Sequence, residues 1–138
     1  MASMYTSMTP GGALTAEKAY MASIGTNKPE LVAPTAELEV KSDPAAVAAW
    51  SQADLTADLR PNLSRIAIPF LEVMPYEPAD AKPPTNYTQD QVQAFYTSLI
   101  AGAPKGSVVA IAPSRHFAML DQPEQFYAAL TQFLGSLP

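Results

Sequence analysis

The stretch Ser107–Pro123, S-V-V-A-I-A-P-S-R-H-F-A-M-L-D-Q-P, decides how the rest of the chain is read. Its Val108–Ala112 run is apolar, rich in β-branched residues and bounded by Gly106 and Pro113, which predicts a short buried strand. His116, the only histidine in the chain, follows in a loop. Asp121 has capping chemistry, Pro123 suits a first helical turn, and Glu124 follows Asp121 at capping-box spacing, so a helix is expected from near Gln122.

Upstream, Gly102 and Pro104 separate this strand from a helix expected to start at Thr88, with Gln91 as its capping-box partner. Val92, Phe95, Tyr96, Leu99 and Ile100 give that helix the best-formed apolar face in the chain. A Pro-rich loop, Pro75–Asn86, precedes it, and before the loop Phe70–Met74 reads as a second strand. Pro69 is acceptable there because a strand's first residue misses no ladder donor. Glu72 in mid-strand requires a wet face or a partner such as Arg60 or Arg65. The last helix presents Phe126, Leu130, Phe133 and Leu134 before Gly135. Strand, helix, strand in this order is the unit of a parallel sheet with a right-handed crossover.

The N-terminal part has a different texture. Gly11–Gly12 punctuate, a helix is expected from Thr15 to Ile24, another from Thr35 to Lys41, and a third from Asp43-Pro44 carrying Val47 and Trp50. The expected organisation is a flexible segment 1–12, short helices over 13–59, and a strand–helix–strand–helix unit over 60–138.

With 138 residues, 48% of them hydrophobic, the chain has the length of one domain and enough apolar material for a core. The net charge of −5, and eight Lys and Arg with no run among them, supply no footprint for nucleic acid or anionic lipid. No apolar stretch reaches the length of a membrane span, and the N-terminus lacks signal-peptide character, so a soluble protein of open location is expected. The absence of cysteine excludes disulfides and thiolate chemistry, and a single histidine argues against a zinc site. No calcium-loop spacing occurs, and no metal or cofactor is expected.

The segments D-L-R-P-N-L-S-R-I-A-I-P-F-L-E-V and V-V-A-I-A-P-S-R-H-F-A-M-L-D-Q-P-E-Q-F, in this order, resemble the C-terminal half of the α/β-hydrolase family. The resemblance covers about Asp58–Leu134 and implies a partial α/β-hydrolase-like parallel sheet of two strands with flanking helices, the helices before it being cap-like. It also implies a triad of serine, acid and histidine, with His116 as the general base in the loop after the last strand. The acid position of the pattern falls on Pro78, and Pro75 replaces the usual Gly, so Asp80 and Glu77 are the candidate acids, Asp80 preferred. The nucleophile motif G-x-S-x-G is missing, and the chain is shorter than a complete enzyme of this kind.

Ser114 is the serine nearest His116 in sequence, yet residues two apart in extended chain are separated by roughly 6.6 Å, so a tight turn is needed to bring them together. Ser3, Ser7, Ser23, Ser51, Ser64, Ser98 and Ser107 have no local signature. Arg115, Phe117, Met119 and Tyr76 are the candidate substrate contacts, Arg115 for a carboxylate or for Asp121, while Trp50, Met74 and Met119 fit either an acyl pocket or core. A two-strand parallel sheet leaves edges unpaired, so a homo-oligomer or a complementing N-terminal half is expected as partner. The expected function is hydrolysis of a small-molecule carboxylic ester or lactone, its serine coming from the oligomer or a partner chain. The rival expectation is a non-catalytic truncated hydrolase that serves as a binding or assembly module.

Overall fold

Helix α1 (Pro10–Tyr20) opens a computed structural model that describes residues 10–82 and 86–137. The chain divides into two compact units at Asp58/Leu59. In the first, α1 continues into a π-helical turn, Met21–Gly25, and is followed by α2 (Pro29–Glu39) and α3 (Pro44–Thr56). Met21, Thr26 and Ala36 are fully buried in it, and Ala48 turns inward from α3.

Several helix starts differ from the sequence reading, each for a local reason. Pro10 opens α1, so Gly11 and Gly12 lie inside its first turn instead of punctuating, and the rest of the expected flexible segment, 1–9, lies outside the described residues. The Thr15 hydroxyl donates back to the Gly11 carbonyl at 3.0 Å, a mid-helix bond and not a cap. Pro29 likewise starts α2 before Thr35, and Pro34 is carried within the helix. For α3 the expectation holds: Asp43 Oδ1 accepts from the amides of Ala45 and Ala46 at 2.8 and 2.9 Å, ahead of Pro44. Trp50, however, is 77% exposed and lies outside the core.

The second unit begins with a 3₁₀ turn, Arg60–Arg65, and contains β1 (Phe70–Pro75), a short 3₁₀ turn Pro78–Asp80, α4 (Gln89–Leu99), β2 (Gly106–Ile111), α5 (Ala118–Asp121) and α6 (Pro123–Gly135). β1 and β2 pair in parallel from Phe70↔Gly106 to Pro75↔Ile111, as the strand–helix–strand order requires. The capping box of α4 is complete: Gln91 N–H donates to Thr88 Oγ1 at 3.3 Å, and Thr88 N–H to Gln91 Oε1 at 2.8 Å. β2 starts earlier than expected and ends at Ile111, because Gly106 already lies in the ladder.

Period-two alternation assigns the faces. Leu71, Ser107 and Val109 share a groove of about 290 Å³ with Ala129, Gln132, Phe133 and Ser136, which puts α6 over that face. On the opposite face a Cβ added to Gly106 would stand 3.2 Å from Ile100 Cδ1 and from Ala103 Cβ, so glycine permits the close approach of the turn after α4. Met74, Ile111, Ala103 and Ala118 form the buried core of this unit. Glu72 is half-buried, and its face of the sheet stays partly wet. Among the described residues, no helix is long and apolar enough to cross a membrane.

Candidate functional site

The site is built where both parallel strands end, the side of an open α/β sheet at which ligand sites lie. Past the last strand residues the ladder is extended by loop backbone: Tyr76 N–H donates to the Ile111 carbonyl at 3.0 Å, and Ser114 N–H donates to the Tyr76 carbonyl at 2.9 Å. Ser114 is fully buried, and its hydroxyl donates to the same Ile111 carbonyl at 2.7 Å. That bond turns the Ser114 hydroxyl into the sheet end. The Ala112–Pro113 peptide is cis.

Charge joins the two loops. Arg115 donates from Nε to Asp80 Oδ2 and from Nη2 to Asp80 Oδ1, both at 2.9 Å, a two-pronged pairing of guanidinium and carboxylate. These hydrogen bonds push the Arg115 guanidinium above its ordinary range; burial opposes the shift, and the charges of Asp80, Glu77 and Asp121 add to it. The Arg115 backbone N–H donates to Asp121 Oδ2 at 2.8 Å, and Asp121 is only 3% exposed.

Asp121 is therefore not the cap of α6, which has no side-chain cap; its carboxylate turns back to hold the histidine loop, and this corrects the capping expectation. Two glutamines complete the brace: Gln122 Nε2 donates to the Pro113 carbonyl at 2.9 Å and Gln125 Nε2 to the Ala112 carbonyl at 3.0 Å. The sequence reading missed both. The available signal is their spacing, which puts them on one helical face beside a loop whose carbonyls need donors.

His116 is exposed, and its ring stands edge-on to Phe117 with centroids 4.9 Å apart. Its neighbours in sequence are held on both sides while the imidazole itself faces outward. Among the described residues, no carboxylate and no hydroxyl makes a hydrogen bond to it. The expected acids are engaged elsewhere: Asp80 holds Arg115, and Glu77 Oε1 caps its own 3₁₀ turn by accepting from Ala79 N–H at 3.0 Å. Tyr76, a candidate substrate contact, donates its hydroxyl to the Tyr87 carbonyl at 3.0 Å. Phe117 is half-buried and puts apolar surface beside the imidazole, and Met119 is exposed.

The other serine hydroxyls of this unit that make hydrogen bonds also turn to backbone. Ser98 donates to Phe95, Ser107 to Phe70 and Ser136 to Phe133 carbonyls. Ser3 and Ser7 lie outside the described residues. Among the described residues, no group of three or more His, Asp or Glu side chains is gathered as for a metal ion. Chemically, the arrangement presents one solvent-facing imidazole, able to take a proton from an incoming group, on a loop fixed by two carboxylates and two glutamines. No protein-family model matches this chain, and no curated protein or solved structure matches it significantly.

Proposed function

We propose that this chain carries the histidine loop of an α/β-hydrolase-type site acting on carboxylic esters or lactones, the nucleophilic serine being brought to His116 by another copy or by a complementing chain. The observation that supports this reading is an exposed imidazole at the C-terminal end of paired parallel strands, on a loop braced by Asp80, Asp121, Gln122 and Gln125. A braced loop keeps a base where a partner can meet it, and a solvent-facing ring leaves room for that partner.

In the reaction, the serine proton passes to His116 as Oγ bonds to the acyl carbon. The leaving alkoxide takes that proton. Water then attacks the acyl carbon as His116 accepts its proton, the C–Oγ bond breaks, and His116 returns that proton to Oγ, which releases the acid and the free serine. Phe117 and Met119 furnish the apolar wall for the acyl or alkyl part.

The test is intact-mass analysis after exposure to a fluorophosphonate, run on the chain alone and on the chain combined with a strand–turn–helix polypeptide bearing G-x-S-x-G. A single adduct in one of the two samples, lost in His116→Ala, is the expected result; no adduct in either overturns the proposal. A second reading, a non-catalytic binding or assembly module, is favoured by the commitment of Asp80 to Arg115 and of Ser114 to the Ile111 carbonyl. It requires association without any adduct.

A further inference from the structure

The two outer edges of the sheet are not equivalent. Phe70 N–H donates to the Lys105 carbonyl and Tyr76 N–H to that of Ile111, which fixes the phase of the parallel ladder. The even-numbered residues of β1 face β2, and the odd-numbered residues Leu71, Val73 and Pro75 point their backbone groups outward, in line with Pro69. The outer edge of β1 thus has proline at both ends and only two donors between them, the device by which edge strands avoid pairing. In β2 the inward set is odd and the outward set is Gly106, Val108 and Ala110, continuing to Ala112.

Gly106 N–H is committed to the Ala103 carbonyl at 3.1 Å, but among the described residues the amides of Val108, Ala110 and Ala112 have no partner. No proline interrupts Gly106–Ala112, and no charge lies between Lys105 and Arg115, whereas β1 carries Glu72. An uncharged edge with three successive outward donors and no proline among them is poorly protected against strand pairing.

We propose that two copies of this chain associate through the open edge of β2, pairing antiparallel about Val109. The occupant follows from the edges themselves. Each copy has one open edge and one blunted by proline, so β2 against β1 of a neighbour would meet Pro69 and Pro75 and fail to propagate. β2 against β2 closes around a two-fold axis. The outward set is symmetric about Val109: Val108 of one copy faces Ala110 of the other, and the reverse, giving two pairs that each exchange two hydrogen bonds. α6, the helix that follows β2, carries a second feature of the same kind, an exposed apolar stripe of Tyr127, Leu130 and Leu134 at i, i+3 and i+7. This inference does not depend on any role for His116.

The experiment is residue-resolved amide exchange on the unmodified chain at low and high concentration, with sedimentation velocity in parallel. A dimer is expected, with protection at Val108 and Ala110 rising by roughly tenfold or more with concentration while Leu71 and Val73 stay unchanged. Ala110→Pro, which removes one outward donor, is expected to give a monomer with unaltered helical circular dichroism. A monomer at every concentration overturns the proposal. So does a dimer whose Val108 and Ala110 amides exchange freely, protection at Leu71 and Val73, or protection that appears only when a different chain is added.

Discussion

Removing the Asp121 carboxylate separates burial from bond count as the source of the histidine loop's stability. Asp121 accepts from the Arg115 backbone N–H while 3% exposed; Asp80 accepts from Nε and Nη2 of the Arg115 side chain, with the two members of that ion pair 46% and 20% exposed. A hydrogen bond to a buried charged acceptor contributes about 1.5–3 kcal/mol, and deleting the acceptor leaves a donor unsatisfied in a site water does not replace well. Asp121→Ala is therefore expected to cost about 2–3 kcal/mol. For a unit of this size that is a fall in Tm of roughly 8–24 °C. Asp80→Ala breaks a pair that water and salt already screen, worth about 0.2–1 kcal/mol, or roughly 1–8 °C.

The assay is thermal unfolding by far-UV circular dichroism of the two variants and the parent, side by side, with Asp121→Asn added. Asparagine keeps an acceptor oxygen and should restore more than half of the loss. An Asp80→Ala variant as destabilised as Asp121→Ala, or an Asp121→Ala variant indistinguishable from the parent, would refute the reasoning.

Four other outcomes follow from the same geometry. Thr88→Ala removes the α4 cap and should cost about 1 kcal/mol in denaturant unfolding, with the m-value unchanged. Trp50→Ala, on an exposed face of α3, should change stability by less than about 0.5 kcal/mol in the same experiment. Gly106→Ala, which brings a Cβ to 3.2 Å from Ile100 and Ala103, should lower the midpoint by an amount equivalent to about 1–3 kcal/mol. In the first unit, burial raises the Tyr20 pKa above its ordinary 10.0, with Glu17 and Glu39 adding to the effect. The folded state then holds the phenolic proton longer than the unfolded state, so stability present below pH 10.0 is lost as pH rises past it; Tyr20→Phe should flatten that loss in melts on either side.

The sheet was legible because its signals are local and agree. A β-branched run between Gly106 and Pro113, a capping box at Thr88 and Gln91, and Pro123 at a helix start each specify one conformation over a few residues. The N-terminal helices are less legible because Gly11–Gly12 read as punctuation and Thr35 as a start, whereas Pro10 and Pro29 are the first-turn residues that open the helices. The histidine loop reads as a loop and Asp121 as a contact of Arg115; what the sequence misses is that Asp121 takes the Arg115 backbone amide, and that Asp80 is joined to the Arg115 side chain across the strand ends. Such contacts are set by the register of β1 against β2, a long-range fact that one-dimensional spacing does not carry. The opposite charges on two loops expected to lie side by side were the available clue.

The most direct measurement of the central claim is a pre-steady-state burst with a short p-nitrophenyl ester on the chain combined with its serine-bearing complement, in self-assembled or mixed form. A burst stoichiometric with assembled sites, absent in His116→Ala, is the result expected of an acyl-serine formed with this imidazole as base. A slow linear release that is equal in the parent and His116→Ala, with no burst, would contradict it.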